Sequence, residues 1–279
     1  MKITSCIPLI CLSALLVHCG DKKKNHSTDP SKSTHREEKR ATKVSAKDGK
    51  GDLLLQKCIR AHGGLERWKS FQGLEYTLDD NGKMVYQLTQ LKDRRAYLKS
   101  KTYTVGYNGK VAWAIPDARG VSGKSAAFYY NLDFYFIGLP FLLRDPGVNT
   151  EYDGRRTING KEYESLRITF GSEVGLTPED IYYLYIDPGT HLLEILTYSI
   201  SYFDPEKAAV NSAKVYFDYR NIQGLMMPHK MENFEWKDFT MGKSKNHLRR
   251  FSNIHFLDHI RDETVFEVPE GAIIEVLAQ

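Results

Sequence analysis

His255, Asp258 and His259 form the densest group of metal-ligating side chains in the sequence, in the pattern H-x-x-D-H. Zinc hydrolases use two histidines four apart on a helix, because only a helix brings that spacing to one face. Here residues 251–257 alternate as a strand leading into a loop, so the pair is not presented together, and His229 and His247 would have to complete any site. A metal-dependent hydrolase therefore stands as an alternative, with no metal expected. Gly120-Val121-Ser122-Gly123 lacks the G-x-S-x-G order of a nucleophile elbow. Glu151, Asp153, Glu173, Glu179 and Asp180 supply carboxylates, but a glycosidase needs two facing each other across a cleft, and acids in loops read as solvated. His62 falls in the last turn of a helix stopped by Gly63-Gly64, where capping is the expected role. No phosphate-cradling glycine loop and no cysteine pair is present. The expectation is a non-catalytic protein without a cofactor.

The residues that ask for an explanation are apolar. Residues 125–143, SAAFYYNLDFYFIGLPFLL, carry large side chains on every face of a helix. A helix apolar all round must be covered on all sides or cross a bilayer. Asn131, Asp133, Gly138 and Pro140 interrupt a run barely long enough to span. The segment is therefore expected to be a plug enclosed by the rest of the chain. Ligand pockets are concave and mostly apolar, with few polar groups. Phe128, Tyr129, Leu132, Tyr135, Phe136, Leu139, Phe141 and Leu142 are the candidate ligand-binding residues, and plain packing against a sheet is the alternative for each. Gly138 and Pro140 break the helix and would give it a hinge.

The elements that must enclose this plug are strands. A helix is expected from about Asp52 to His62, with Leu54, Leu55, Cys58 and Ile59 on one stripe. A short turn then tucks Trp68 and Phe71 into the core. After Gly73 the pattern changes to period two. Asn81-Gly82, Asn108-Gly109, Asn159-Gly160 and Asp187-Pro188-Gly189-Thr190 mark hairpins, since Asn-Gly suits the positive φ of tight turns. Further strands are expected at Tyr152 and over 166–170, 181–186, 192–203, 214–219, 231–236 and 249–256, and a last apolar piece at 265–268. Hairpins in series give an antiparallel meander and exclude a doubly wound parallel sheet. The fold class expected is α+β and sheet-dominated, as one domain over residues 51–279.

The order of elements resembles the lipoprotein-carrier (LolA/LolB-like) half-barrel superfamily, over roughly residues 51–279. The likeness rests on Ala61-His62-Gly63-Gly64 closing the first helix and on the mid-chain plug. It also rests on Tyr183-Leu184-Tyr185-Ile186-Asp187-Pro188 before a returning strand, and on Tyr219 with Gly224-Leu225-Met226-Met227-Pro228. Within that superfamily the chain is most like exported bacterial lipoproteins of unassigned function. The resemblance implies a large curved, unclosed antiparallel sheet around an N-terminal helix and the plug. It also implies an apolar cavity for a lipid, an acyl chain or an acylated protein.

The N-terminus supplies an address. Met1-Lys2, an apolar run from Ile7 to Val17 and then Cys19 look like a lipoprotein signal over residues 1–18, with Cys19 as the lipidated residue. An ordinary signal peptide with an incidental cysteine is the alternative. Residues 19–50 hold no aromatic side chain and are dominated by charged and hydroxyl residues, a composition that cannot offset its chain entropy, so a disordered polar tether is expected. Ten Lys/Arg against five Asp/Glu over 20–50, together with Lys2, leave residues 51–279 at a net −2 although the whole chain is +4. The basic balance belongs to the tether, so no nucleic-acid partner is expected. With Cys58 alone in the domain, stability must come from a packed core and not from disulfides. The reading is a monomeric lipoprotein anchored in the bacterial envelope, in the outer membrane before the inner because Gly20 is not acidic. A soluble carrier of the superfamily is not lipid-anchored, so Cys19 favours an acceptor or fixed binding protein. A glycan-binding surface lipoprotein is the other alternative. It would turn Trp113 or Trp236 outward as flat platforms, where a lipid binder would turn them inward.

Overall fold

The computed structural model describes residues 46–121, 124–172, 177–202, 204 and 209–276. The signal, Cys19 and residues 19–45 of the tether lie outside the described residues. Among the described residues three α-helices, α1 (Ala46–Ala61), α2 (Leu65–Lys69) and α3 (Ala126–Ile137), accompany thirteen strands. Five strands precede α3: β1 (Gly73–Asp80), β2 (Lys83–Gln90), β3 (Ala96–Ser100), β4 (Thr104–Tyr107) and β5 (Val111–Ile115). Seven follow it in sequence: β6 (Val148–Ile158), β7 (Lys161–Phe170), β8 (Tyr182–Ile186), β9 (Leu193–Tyr198), β10 (Ser212–Ile222), β11 (Leu225–Lys237) and β12 (Thr240–Leu257). The last strand is β13 (Ile273–Val276).

All thirteen form one antiparallel sheet in the order β13-β5-β4-β3-β2-β1-β12-β11-β10-β9-β8-β7-β6. The first meander ends at β5, α3 carries the chain across, and the second meander starts at the far edge and returns until β12 pairs with β1. The plug is thus the crossover between two sheet edges. It also shows that the sheet is bent. Strands lie about 4.8 Å apart, so β5 and β9 would be roughly 38 Å apart on a flat sheet. A helix about 10–12 Å across nevertheless touches both sides: α3 packs on β3, β4, β5 and β13, while Phe136 meets Tyr198 of β9 with ring centroids 5.0 Å apart.

The turn chemistry works as the sequence predicts at two sites, where Asn81-Gly82 and Asn159-Gly160 both take positive φ. At Asn108-Gly109 only the glycine does, and Asn108 Oδ1 instead accepts from the backbone N–H of Lys110 and Val111. Helix α1 opens at Ala46, six residues before the expected start. Strand β12 begins at Thr240 and not near 249, β9 stops at Tyr198, and the apolar piece near 265 is a 3-10 turn, Glu263–Phe266. The terminal β13, which the sequence pattern does not announce, lies on β5.

The main core fills the concave side, with Leu55, Leu74, Tyr76, Leu98, Phe134, Ile137, Leu184 and Phe256 among its buried members. Two smaller clusters lie on the opposite face of the sheet, one around Tyr185, Val215 and Trp236 and the other around Leu88, Leu257 and Phe266.

Candidate functional site

Both ends of α3 are held by polar contacts. Ser125 caps the helix, its Oγ accepting from Phe128 N–H at 3.1 Å. Glu275 of β13 reaches the same end: it accepts from Ser125 Oγ at 2.6 Å, Ala126 N–H at 2.7 Å and Ala127 N–H at 3.2 Å. A carboxylate on the unpaired N–H groups of a first turn also meets the positive end of the helix dipole. At the other end Tyr216 Oη donates to the Phe136 carbonyl at 3.3 Å. The helix stops at Gly138, and residues Phe141–Arg144 form a 3-10 turn, so the break expected at Gly138 and Pro140 is present.

Of the eight candidate residues, Tyr129, Phe136, Leu139, Phe141 and Leu142 are buried, and Phe128, Leu132 and Tyr135 are half-buried. They do not share one face. Phe141 stacks on Trp68 at 4.6 Å, Tyr135 stands edge-on to Tyr182, Phe128 leans on Tyr202, and Tyr129 shares a hydroxyl contact with Tyr103 at 3.1 Å. Their side chains occupy the concave face. A concavity of about 230 Å³ lined by Gln56, Ile59, Arg60, Gly64, Leu65 and Arg144 abuts the C-terminal end of the plug. A larger one, about 580 Å³, lies at the β11–β12 hairpin beside Trp236.

The sheet also places charges under the plug, and the sequence pattern alone does not single these out. Asp133 of α3 is 1% exposed, Arg249 of β12 4% and Lys214 of β10 1%. Arg249 Nε lies 2.9 Å from Asp133 Oδ1, with Asp80 Oδ2 at 4.0 Å from Nη2. Asp80 is itself held by His247 Nε2 at 2.8 Å, and that hydrogen bond keeps its carboxyl below the usual range. Neither oxygen of Asp133 has a well-aligned hydrogen bond among the described residues. Lys214 Nζ donates to Asn233 Oδ1 at 2.9 Å and lies 4.3 Å from the Phe136 ring centroid. Burial first, and then the charge of Arg249, pull its pKa down to about 7. Two clues were available: Asp133 is the one acid in the plug helix, and Lys214 occupies the same strand parity as inward-facing Tyr216.

The other candidates stand apart. His62 is buried and caps α1: its Nδ1 donates to the Cys58 carbonyl at 2.8 Å, and burial lowers its pKa to about 4. His255 lies on β12 against Glu75, His259 lies beyond the strand, and among the described residues no set of three or more His, Cys, Asp and Glu is placed to hold a metal. Of the loop carboxylates, Glu151 and Asp153 fall on β6 and not in a loop, and Asp180 is buried and bonded to Ser199 and Ser201. Ser122 and Glu173 lie outside the described residues. Trp113 and Trp236 match neither expectation: both belong to the outer side of the sheet, yet both are covered, Trp113 donating to the Phe266 carbonyl and Trp236 packing on Tyr185 and Phe239. The tryptophan of the concave side is Trp68.

The sheet is open, antiparallel and bent around an N-terminal helix and an apolar plug, as the half-barrel resemblance implies. By sequence, residues 42–235 match the model of DUF6503, a family of unknown function, and the chain belongs to that family. No curated protein matches it. Among solved structures it is similar to a DUF1329 family protein from Desulfovibrio piger, with TM-score 0.46. It is also similar to a LolA superfamily protein from Nitrosomonas europaea, with TM-score 0.47. A Vibrio parahaemolyticus domain described as an outer-membrane lipoprotein-sorting protein gives 0.48. Each is 10% identical and covers 78% of this chain and 97% of the other.

Proposed function

We propose that the protein is a lipoprotein of the bacterial envelope, anchored through Cys19, whose half-barrel takes up a hydrophobic or amphiphilic guest without catalysis. The guest is a lipid, an acyl chain or the acyl moiety of a lipoprotein. The observation that carries this reading is α3 itself. It is a helix with apolar side chains on every face, laid across the concave side of an open sheet, with Glu275 on its first turn, Tyr216 on its last and Arg249 beneath its centre. In this reading the side chains of α3 and of the 3-10 turn move aside as the guest enters, and the guest replaces the apolar contacts they lose. Each methylene removed from water contributes about 0.8 kcal/mol, so an acyl chain can offset the contacts broken. The concavity beside Ile59 and Leu65 adjoins the broken end of the plug and is the natural point of entry. The signal and tether then serve as anchor and leash, with the outer membrane favoured and a monomer expected.

The test is to purify the full-length chain from membranes and combine native mass spectrometry with organic extraction. The expected result is an amphiphile bound near one to one. A chain that carries no amphiphile, yet retains labelled glycans, would overturn the reading in favour of a glycan-binding surface protein.

A further inference from the structure

Breaking the Asp133–Arg249 pair by moving α3 has a consequence for charge. Arg249 would be left beneath the plug with Lys214 as a second cation, and its nearest remaining acid, Asp80, is 4.0 Å away and already bonded to His247. An unpaired buried charge is costly, typically a few kcal/mol, so the plug leaves readily only if another anion takes its place. Asp133 is poorly suited to be the permanent partner, because neither of its oxygens finds an aligned hydrogen bond among the described residues although the side chain is 1% exposed. The surroundings are otherwise cationic or hydroxylic: Arg249 and His247 of β12, Lys214 of β10, and the hydroxyls of Tyr198 on β9 and Tyr129 on α3 itself. Among the described residues, Asp80 is the only acid from the sheet that faces them.

We propose that Arg249 and Lys214 form the head-group site of the half-barrel, that the guest is an acyl chain ending in an oxyanion, and that Asp133 occupies that site in the guest's absence. Entry is then an exchange of anions: the plug's carboxylate leaves as the guest's carboxylate or phosphate arrives, and no bond is made or broken. The inference rests on the proposed binding of an amphiphile and adds its charge. It explains why an otherwise apolar helix carries an acid at its centre, and why a lysine with lowered proton affinity faces it: an arriving anion restores the charge of Lys214, whose pKa is held near 7 by burial and by Arg249.

The test uses the full-length chain in phosphatidylcholine nanodiscs with three photoactivatable probes: a fatty acid, a lysophosphatidic acid and an uncharged monoacylglycerol. Labelling is quantified by mass spectrometry. Wild type should label at lower concentrations of the two anionic probes than of the neutral one. Asp133→Asn should lower the half-maximal concentration of all three probes by about tenfold, because the plug then leaves without breaking an ion pair, and should keep the anionic probes ahead of the neutral one. Lys214→Met should raise it for the anionic probes only, which keeps the test valid if Asp133→Asn does not fold. Competition by inorganic phosphate alone, at concentrations that leave the neutral probe unaffected, would identify the site with the free anion and overturn the need for a chain. Equal labelling by charged and neutral probes, or equal shifts of both in Lys214→Met, would make the pair purely structural and overturn this inference while leaving the proposed function standing. Labelling by none of the probes would overturn both.

Discussion

Lys214 couples the buried centre to pH. Unfolded, its ammonium keeps its usual pKa of 10.5, whereas in the fold burial and Arg249 lower it to about 7. Between these values the unfolded chain binds more protons, so stability rises with pH. Above pH 9 the buried Cys58 thiol, whose pKa burial raises from 9.0, acts in the opposite direction. Chemical denaturation of the wild type should therefore show stability climbing from pH 7 to about 9, and Lys214→Met should remove most of that slope. His62 gives a second, separate window. Its imidazole titrates near 4 in the fold and 6.5 unfolded, so stability should fall as the pH drops from 6.5 towards 4. His62→Gln should flatten that limb in the same measurement. These residues were only partly legible. His62 could be placed as a cap from the two glycines after it, but Lys214 and Arg249 read as ordinary members of alternating strands. A charge in a strand announces its partner only when the strand order is known, and Arg249 is 116 positions from Asp133 in the sequence.

Among the elements, the first helix and its stop were the most legible. Gly63 lies at φ +107°, with Gly64 N–H bonded to the Ile59 carbonyl and Gly63 N–H to that of Arg60. This is the Schellman arrangement that ends helices at glycine. A Cβ at Gly63 would sit 2.2 Å from the Gly224 carbonyl, so Gly63→Ala should destabilise by roughly 2–4 kcal/mol in urea unfolding. The plug's start is held less obviously. Its cap, Ser125, was within reach of the sequence, but the carboxylate beside it comes from Glu275 in a strand that local pattern did not reveal. Four residues after a Pro-Glu-Gly turn carry too little alternation to be recognised, and β13 exists because β5 offers an open edge. Ser125→Ala should cost about 1 kcal/mol. Glu275→Gln should cost a similar amount, because it removes the charge from the helix's positive end, and thermal unfolding of the two variants would show it.

For the molecule as a whole, hairpin signals foretold a sheet-rich meander, and the all-round apolar helix foretold that something must surround it. What they could not foretell was the join. The two meanders meet where β1 pairs with β12, strands separated by most of the domain, and that pairing is what makes one bent sheet out of two hairpin series. The register slips between Glu75 and Thr77 along this seam, which adds local twist where the halves meet. The bend sorts the three tryptophans: Trp68 lies among the concave core residues, while Trp113 and Trp236 lie on the outer side.

That sorting provides the most direct measurement of where the guest sits. Three versions of the full-length chain, each keeping one tryptophan and carrying Phe at the other two positions, would be titrated in nanodiscs with a fatty acid brominated along its chain. Bromine quenches indole fluorescence only at contact range. The account predicts saturable quenching of Trp68, near one equivalent, with Trp113 and Trp236 unaffected. Quenching of Trp236 or Trp113 while Trp68 stays bright would place the amphiphile outside the half-barrel and contradict it.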